Sequence, residues 1–453
     1  MAKRAHTTRH KSLGIVDKLT QSIRTTPASI TQPRIVFGIA VAFLIVFGMI
    51  MVYSSSFAMG IASSTQDGSA YIVRQLLALC LGLIALAVFY HLDYHIFASK
   101  QVMLALFIIS SGLLLAVRFM GSSSHGASRW FQIGPLTFQP AEFIKLFVIL
   151  SCAVLCYQYK VKHSMTHRAF WKSIVIYCGI TVALILWQPD KGTALTLLLT
   201  IWCMLWVSGV QKRLLVLILI VGLGAFFVHA MSDPYSRERF VAMLDPSQDP
   251  LGIGYQLNQG FYAFGSGGLF GVGIGMGKQK YSYLPEIHND FIFAQVGEEC
   301  GLIGCIVVLT AFAILLWAAI KIAQRAPDYL GSLAVYGCAM VIIIAVLLNV
   351  AGVLGIFPMT GKAIPFMSYG GTSMVGSLML VGVILNVSRQ SHLPVTHASK
   401  AREHLRVESR HEAHMQQRSQ TQHRQYRQQT QYTQETQHTH YTKHTQHTQR
   451  RHP

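Results

Sequence analysis

Four carboxylates and a histidine fall within one short stretch of the chain, YSYLPEIHNDFIFAQVGEECGLIG. They are Glu286, Asp290, Glu298, Glu299 and His288, and they lie where a long polar segment gives way to a strongly apolar one. Acidic residues are scarce here, with 18 Asp and Glu among 453 residues. Because a charge at membrane depth is costly, ionisable residues there are functional candidates by default. The stretch therefore predicts chemistry or ion movement at a membrane boundary.

The spacing of the carboxylates predicts that they do not all point the same way. If residues 290–299 are helical, Glu298 lies roughly 80° around the axis from Asp290, and Glu299 lies roughly opposite it. We therefore expect one of the two glutamates to face a cavity with Asp290 while the other pairs elsewhere. His288 is close enough in sequence to share the hydrogen bonds of Asp290.

Three further motifs place polar side chains beside apolar segments: GASRWFQIGPLTFQPAEFIKLF, WQPDKGTAL and FPMTGKAIPFMSYGGTSMVG. In the first, Pro140 fits the start of a helix, so Glu142 occupies the first turn, where it can pair with Lys145. The alternative is an anchoring belt with one structural ion pair. Asp190 in the second motif fits a helix N-cap, and a plain capped turn explains it equally well. The third motif, with two prolines and a Gly-Gly pair, predicts a broken segment lining a cavity.

Apolar helices must position these residues. The chain is 52% hydrophobic and 12% charged, whereas a soluble domain carries about 25% charged residues. The sequence predicts an all-α polytopic membrane protein of about ten transmembrane helices, with a long extracytoplasmic loop between helices 7 and 8. The predicted spans are 35–53, 74–91, 102–118, 141–157, 172–187, 192–210, 213–231, 297–320, 332–355 and 371–388.

The distribution of basic residues predicts the orientation of these spans. Lys and Arg concentrate before the first span, after the last, and in alternate short loops, which places both termini in the cytoplasm. The formal net charge of +19 therefore does not indicate nucleic-acid binding, because no aromatic-basic module accompanies it. We expect a basic cytoplasmic segment over 1–34, a membrane domain over 35–390, and a disordered cytoplasmic tail rich in His, Gln, Thr and Arg over 391–453.

The residues alone fit a transporter or a membrane enzyme. A transporter with broken helices and midplane carboxylates should show two related halves, and the sequence shows no internal repeat. An enzyme that acts on a lipid-linked substrate would concentrate polar motifs on one membrane face. Motifs lie in all the predicted outer loops, while the inner loops carry mainly Lys and Arg, which favours an outward-facing active site. These outer loops are 54–73, 119–140, 188–191, 232–296 and 356–370.

In order and spacing, the motifs resemble those of the SEDS family (shape, elongation, division and sporulation proteins), the FtsW and RodA type of peptidoglycan polymerase. The resemblance covers roughly residues 35–390 and includes RW…QPAEFIKL, QPDKGTAL, DPSQDPLGIGYQLNQ, the Gly-rich run through HNDFIFAQVGEECG, and PFMSYGGTSM. The segment GKQKYSYLPE is more similar to FtsW than to RodA. The resemblance implies that the protein polymerises lipid II into β-1,4 glycan strands at the outer face of the cytoplasmic membrane, in septal wall synthesis. A RodA-type elongation polymerase, a lipid II flippase and a division scaffold are the alternatives.

Carried over residue by residue, the resemblance implies that Asp290 is the catalytic base. Candidate substrate-binding residues are Arg129, Trp130, Gln139, Glu142, Lys145, Asp190, Lys278, Glu286, His288, Glu298, Ser368 and Tyr369. The chain departs from the family pattern at Ala141, Lys191, Asn289 and Cys300. Lys362 is displaced from a lysine found in some FtsW loops, so we assign it no role.

The implied reaction sets what else the site needs. Transfer from an undecaprenyl-pyrophosphate-linked glycan with inversion requires a base for the acceptor hydroxyl and stabilisation of the leaving pyrophosphate. Arg129, Lys145, Lys278 or a divalent cation (Mg or Mn) held by carboxylates would supply the second, and the sequence identifies no metal ligands. The chain has no S-x-x-K transpeptidase set, so a class B penicillin-binding protein is the expected partner, together with other division proteins.

Overall fold

The computed structural model describes residues 28–62, 69–124, 127–133, 136–249, 252–281 and 283–391. Most of the predicted basic segment 1–34, and all but one residue of the predicted tail 391–453, lie outside the described residues. The interpretations of these two segments stay predictions.

Each of the ten predicted apolar runs forms a helix, and two further helices lie in the longest loop. The helices are α1 Ala28–Ala62, α2 Ser69–His91, α3 Lys100–Met120, α4 Pro140–Lys160, α5 His167–Trp187, α6 Lys191–Val207, α7 Lys212–Met231, α8 Pro234–Leu244, α9 Ile253–Gly267, α10 Ile292–Gln324, α11 Tyr329–Val353 and α12 Gly371–Gln390. Within the described residues, nine are long and apolar enough to cross a membrane, whereas α6 has 17 residues. The predicted all-α polytopic membrane protein is confirmed, and the count of ten spans stays a prediction.

The centre of the bundle is formed by α4, α11 and α12, which the other helices largely bury. α12 packs along α2, α10 along α1, and α11 against α6 and α4. By contrast, α7 is almost entirely exposed along its length. Polar residues near the ends of α4 and α11 therefore belong to the most deeply buried part of the bundle.

A small antiparallel sheet, which the sequence did not predict, precedes α4. It consists of β1 Ser122–Ser124, β2 Ala127–Ile133 and β3 Leu136–Phe138, in the order β1-β2-β3. The β2–β3 pairing joins Phe131 to Phe138 and Ile133 to Leu136. β3 leads directly into α4, so the sheet brings β2 next to the start of that helix. We call the end of the bundle at which this sheet, α8, α9 and residues 354–370 lie the motif face.

α10 is interrupted at Gly301, which has a left-handed backbone conformation with φ +66°. In a continuous helix the carbonyls of Glu298 and Glu299 would accept hydrogen bonds from residues four positions later. Here they accept instead from Val272 N at 2.9 Å and Gly273 N at 3.0 Å. The Gly-rich segment thus donates hydrogen bonds to the two carbonyls that lose their helical partners at the break.

The matching donors beyond the break are satisfied in the same way. Leu302 N donates to the carbonyl of Gly268 at 2.9 Å, and Ile303 N donates to that of Leu269 at 3.2 Å. A side chain at Gly271, which has φ +81°, would collide with the backbone of α10. The backbone of the Gly-rich segment therefore packs closely against α10.

Candidate active site

Asp290 lies in the turn segment before α10, two residues ahead of the first helical residue, Ile292. Its backbone carbonyl accepts a hydrogen bond of 2.8 Å from Asn349 Nδ2 on α11. The same nitrogen donates to the carbonyl of Lys362 at 2.6 Å. Since Asn349 is buried, water competes little for either bond. One amide on a rigid helix therefore holds two loop segments of the site together.

One carboxylate oxygen of Asp290 is shielded from water, although the residue as a whole is half-buried. Its Oδ1 is buried and has no hydrogen-bond partner among the described residues. Burial raises the pKa of this carboxyl to about 6, against the lowering effect of Arg239, while Glu286 raises it and Lys362 and Arg129 lower it. A carboxyl with this pKa is mostly ionised at neutral pH and still accepts a proton readily, as a general base must.

Lys362 belongs to a row of four charged side chains of alternating sign. Lys145 Nζ is 2.7 Å from Glu142 Oε2, Lys362 Nζ is 3.8 Å from Glu142 Oε1, and Lys362 Nζ is 3.1 Å from Asp190 Oδ2. The predicted pairing of Glu142 with Lys145 is confirmed. Charges this well buried are tolerated because each has an opposite partner. The arrangement gives the motif face a fixed pattern of charge.

Asp190 caps α6, as the sequence predicted. Its Oδ1 accepts from Thr193 N at 3.1 Å, and its Oδ2 accepts from Thr193 Oγ1 at 2.8 Å and from Gln139 Nε2 at 2.9 Å. Burial would raise the pKa of Asp190, but Lys362, Arg129 and Thr193 together hold it below its usual value. Asp190 therefore stays ionised and serves as a fixed counter-charge for Lys362.

Arg129 and Trp130 on β2 extend the site toward the sheet. Arg129 donates from Nε to the carbonyl of Gln188 at 3.3 Å and from Nη2 to the carbonyl of Pro189. Its Cζ is 5.9 Å from the centre of the Trp130 ring, near the outer limit of a cation–π contact. The sheet thus fixes a guanidinium group against the turn before α6.

His288 and Tyr369 form an aromatic cluster with Tyr71 of α2. The three ring centres are 5.3–5.4 Å apart, and Tyr369 N donates to the carbonyl of His288 at 2.8 Å. Burial lowers the pKa of His288, which favours its neutral form. Ser368 is buried, and its carbonyl accepts from Gln75 Nε2 at 3.2 Å. These contacts join the last loop to both α2 and the Asp290 segment.

Two cavities adjoin the loop before α12. The smaller, of about 400 Å³, is lined by Trp130, Lys145, Lys362 and Tyr369 among others. The larger, of about 830 Å³, lies between α6, α7, α8 and residues 356–360, and its walls are mainly apolar. Its polar groups include Arg129, Lys191 and Arg239. A cavity with long apolar walls and a cationic part suits an amphipathic anion.

Comparisons with known proteins agree with this architecture. The family model described as "Cell cycle protein", for FtsW, RodA and SpoVE, matches residues 35–393. The chain belongs to the FtsW/RodA/SpoVE family. It is 37% identical to stage V sporulation protein E of Bacillus subtilis, covering 80% of this chain and 98% of that protein. It is 38% identical to a probable peptidoglycan glycosyltransferase FtsW of Trichlorobacter lovleyi, covering 80% of this chain and 94% of that one.

Solved structures of FtsW/RodA/SpoVE proteins share the fold. A chain of a peptidoglycan synthase complex, described for its structural coordination of polymerization and crosslinking, superposes with a TM-score of 0.61 at 28% identity, over 79% of this chain and 97% of that chain. The rod shape determining protein RodA of Thermus thermophilus gives 0.58 at 26% identity, with the same coverage. The predictions of an FtsW-like family member and of a glycosyltransferase are confirmed.

Several predicted site residues of this family member do not converge on Asp290. Glu298 accepts hydrogen bonds from the backbone nitrogens of Lys278 at 2.7 Å and Gln279 at 3.2 Å. The side chain of Lys278 is exposed, and that of Glu286 is also exposed but close enough for its charge to raise the pKa of Asp290. The substrate-binding roles assigned to Lys278, Glu286 and Glu298 stay predictions.

Glu299 is also engaged within the protein. Its carboxylate accepts from Lys280 Nζ at 2.9 Å, Ser54 Oγ at 2.6 Å and Gly275 N at 3.0 Å. The expectation that Glu298 or Glu299 shares a cavity with Asp290 is therefore wrong. It assumed a helix from residue 290, whereas the Gly-rich segment packs on α10 and binds both carboxylates.

Sequence reasoning missed three residues of the site. Lys362 carries the central charge between Glu142 and Asp190. Arg239 on α8 reaches the last loop, and its Nη1 donates to the carbonyl of Met359 at 2.8 Å. Asn349 stands in an otherwise apolar helix, so its polarity was a signal that could have been used. For Arg239 the sequence offered only a charged loop segment.

The structure does not identify ligands for a divalent cation. Among the described residues no three His, Cys, Asp or Glu side chains converge to hold a metal ion. Glu142 and Asp190 are already paired with lysines. The predicted divalent cation stays a prediction, and the chemistry below uses protein side chains alone.

Proposed function

We propose that this protein polymerises lipid II into β-1,4-linked glycan strands at the outer face of the cytoplasmic membrane, with Asp290 as the general base. The observation that carries the proposal is the shielded carboxyl of Asp290, with its pKa of about 6, beside fixed cations at the motif face. Family membership supports the reaction class. The amphipathic larger cavity supports a substrate with an isoprenoid chain and a pyrophosphate.

The proposed step is a direct displacement at the donor sugar. The acceptor's 4-hydroxyl oxygen attacks the anomeric carbon of the donor strand, and its proton moves to the Asp290 carboxylate. The bond between that carbon and the pyrophosphate oxygen breaks, and the electron pair leaves with the pyrophosphate. Attack from the opposite side converts an α-linked donor into a β-linked product. Base catalysis of this kind contributes about 10²–10⁴-fold.

The fixed charges around Asp290 suit this step in two ways. Cationic groups held in place before the reaction stabilise the charge that develops on a leaving group without reorganising. The Asn349 amide restrains the Asp290 backbone relative to Lys362. A base held at a constant position keeps the acceptor hydroxyl aligned with the donor carbon.

The proposed biological setting is septal wall synthesis, in complex with a class B penicillin-binding protein. Several of the most similar relatives are named FtsW. A structural neighbour belongs to a complex that couples polymerization with crosslinking. Localisation of a fluorescent fusion in dividing cells tests the setting: a signal spread along the side wall, absent from the septum, would favour an elongation role.

The reaction is tested with purified full-length Asp290→Asn protein and lipid II. The variant keeps the shape of the side chain but removes the base, so strand formation should fall by roughly 10²–10⁴-fold. Undiminished strand formation would reject Asp290 as the base. A parallel translocation assay with fluorescent lipid II in vesicles separates polymerase from flippase, because a flippase would move lipid II without forming strands.

A further inference from the structure

Arg239 lies at the junction of α8, α6 and the loop before α12. α8 is anchored at its start, since Asp233 Oδ2 lies 2.6 Å from Lys191 Nζ at the beginning of α6. Arg239 itself donates from Nη1 to the carbonyl of Met359 at 2.8 Å. The guanidinium is therefore held by a backbone contact in the last loop, on a helix that is itself anchored.

Gly361 shows how close this guanidinium is to the proposed base. A Cβ at Gly361 would lie 3.3 Å from Arg239 Nη2 and 3.3 Å from Asp290 Oδ2. Both charged groups thus lie on the same side of this glycine, over the position that a side chain would fill. Gly361 also has φ +63°, a conformation that favours glycine. Even a methyl group would be crowded there, so the two charged groups approach each other closely only because residue 361 has no side chain.

The cations near Asp290 differ in the groups that they contact. Lys362 lies between Asp190 and Glu142, and Arg129 donates to backbone carbonyls. Arg239 differs because the carboxylate it faces is the one that loses its charge when it accepts a proton. It also lines the larger cavity, together with Arg129 and Lys191.

We propose that Arg239 binds the pyrophosphate group that leaves the donor strand, on the side of its guanidinium that lines the larger cavity. This inference rests on the proposed function. Before the reaction, the guanidinium faces the ionised Asp290. As the acceptor proton moves to Asp290, the negative charge there disappears, and one negative charge develops on the pyrophosphate oxygen. The guanidinium then faces the new charge, so it has an anionic neighbour throughout the step.

Because the guanidinium exchanges one anionic partner for another, the proposal can be tested by measuring pyrophosphate binding without turnover. Inorganic pyrophosphate should bind to the full-length protein, compete with lipid II, and bind more tightly to Asp290→Asn, where the competing carboxylate is gone. Arg239→Gln should remove this binding, and Arg239→Lys should restore part of it because it keeps the charge but not the planar fork. Arg237→Gln is the matched control: it removes an exposed arginine from the same helix and should bind pyrophosphate as the wild type does.

The same variants have a kinetic signature. Arg239→Gln should lower strand formation by roughly 10²–10³-fold, as expected for loss of one preorganised charge-stabilising group. It should also move the acidic limb of the pH profile to higher pH, because Asp290 would keep only Lys362 and Arg129 as nearby cations, with Glu286 opposing them. Gly361→Ala should weaken pyrophosphate binding, because its methyl group would crowd the Arg239 guanidinium.

The proposal is overturned if Arg239→Gln binds inorganic pyrophosphate as the wild type does, or loses activity with an unchanged pH profile. The second result would show a purely structural role. If the proposed function is wrong instead, the results differ. A fully active Asp290→Asn enzyme would rule out Asp290 as the general base, and the loss of pyrophosphate binding in Arg239→Gln would still be measurable.

Discussion

Two regions of one short stretch, Asp290 and the pair Glu298–Glu299, use the same chemical group in opposite ways. The Asp290 carboxyl has a buried oxygen without a hydrogen-bond partner among the described residues. Glu298 accepts from two backbone nitrogens, and Glu299 accepts from a lysine, a serine and a backbone nitrogen. The two regions are separated by the first turns of α10.

The difference separates a reactive carboxylate from structural ones. A carboxylate that accepts several hydrogen bonds is stabilised in its ionised form and is a poor proton acceptor. A carboxylate buried with few partners is destabilised as an anion, and its pKa rises, as it does for Asp290. Clustering of acidic residues in sequence is therefore a weaker guide to the base than the partners each one has in the fold.

The largest expected effect is on activity, and it comes from Asp290→Asn. Strand formation should fall by roughly 10²–10⁴-fold because the base is lost. The apparent unfolding temperature in detergent should stay the same or rise, since the variant no longer buries a poorly satisfied charge. A clear drop in that temperature would show that Asp290 is structural, like Glu299. The distinction between a reactive and a structural carboxylate would then not hold.

The opposite result is expected for Glu299→Gln. This change leaves Lys280 buried without its counter-charge, and breaking a buried pair costs about 3–5 kcal/mol. The unfolding temperature should fall sharply, and adding Lys280→Met should recover part of the loss. If Glu299→Gln instead keeps its stability and loses activity, Glu299 belongs to the reacting groups.

The sequence predicted the helices well because long apolar runs depend little on distant residues. The N-cap at Asp190 and the Glu142–Lys145 pair were also predictable, since both depend on neighbours within three positions. The partners of Glu299 were not, because Ser54 is 245 residues away and Lys280 is brought near only when the Gly-rich segment packs on α10.

The site was predictable in part for the same reason. Asp290 was identified through its motif, but its environment depends on Asn349, 59 positions away, and on Arg239 in a different loop. Lys362 was set aside because its position in the motif was unusual, yet the fold brings its Nζ to 3.1 Å from Asp190. A small shift in the position of a lysine along a loop does not determine where the end of its long side chain lies in the fold.

A third test uses pH to distinguish the two regions. A base works only when deprotonated, so with a pKa of about 6 for Asp290 the rate should fall as pH drops through that value. Well below it, the loss should be about tenfold per pH unit. The fraction of Glu299→Gln molecules that fold should show the same acidic limb in their rate, because Glu299 is bound to Lys280 and Ser54 rather than facing the reacting groups. A limb that shifts in this variant would couple the two regions.

The smallest predicted effect concerns the amide that positions the base. Asn349→Leu keeps the volume but leaves the carbonyls of Asp290 and Lys362 without their donor. Each lost hydrogen bond is worth about 0.5–1.5 kcal/mol, so displacement of the base should lower the rate by about tenfold.

Asn386→Leu is the matched control, because this buried amide donates to the carbonyls of Phe89, Tyr90 and Leu92, near the C-terminal end of α12 and away from the motif face. Both variants should be less stable in thermal unfolding, but only Asn349→Leu should lose rate per folded molecule. Equal loss of rate in the two would mean that activity follows general stability rather than the position of Asp290.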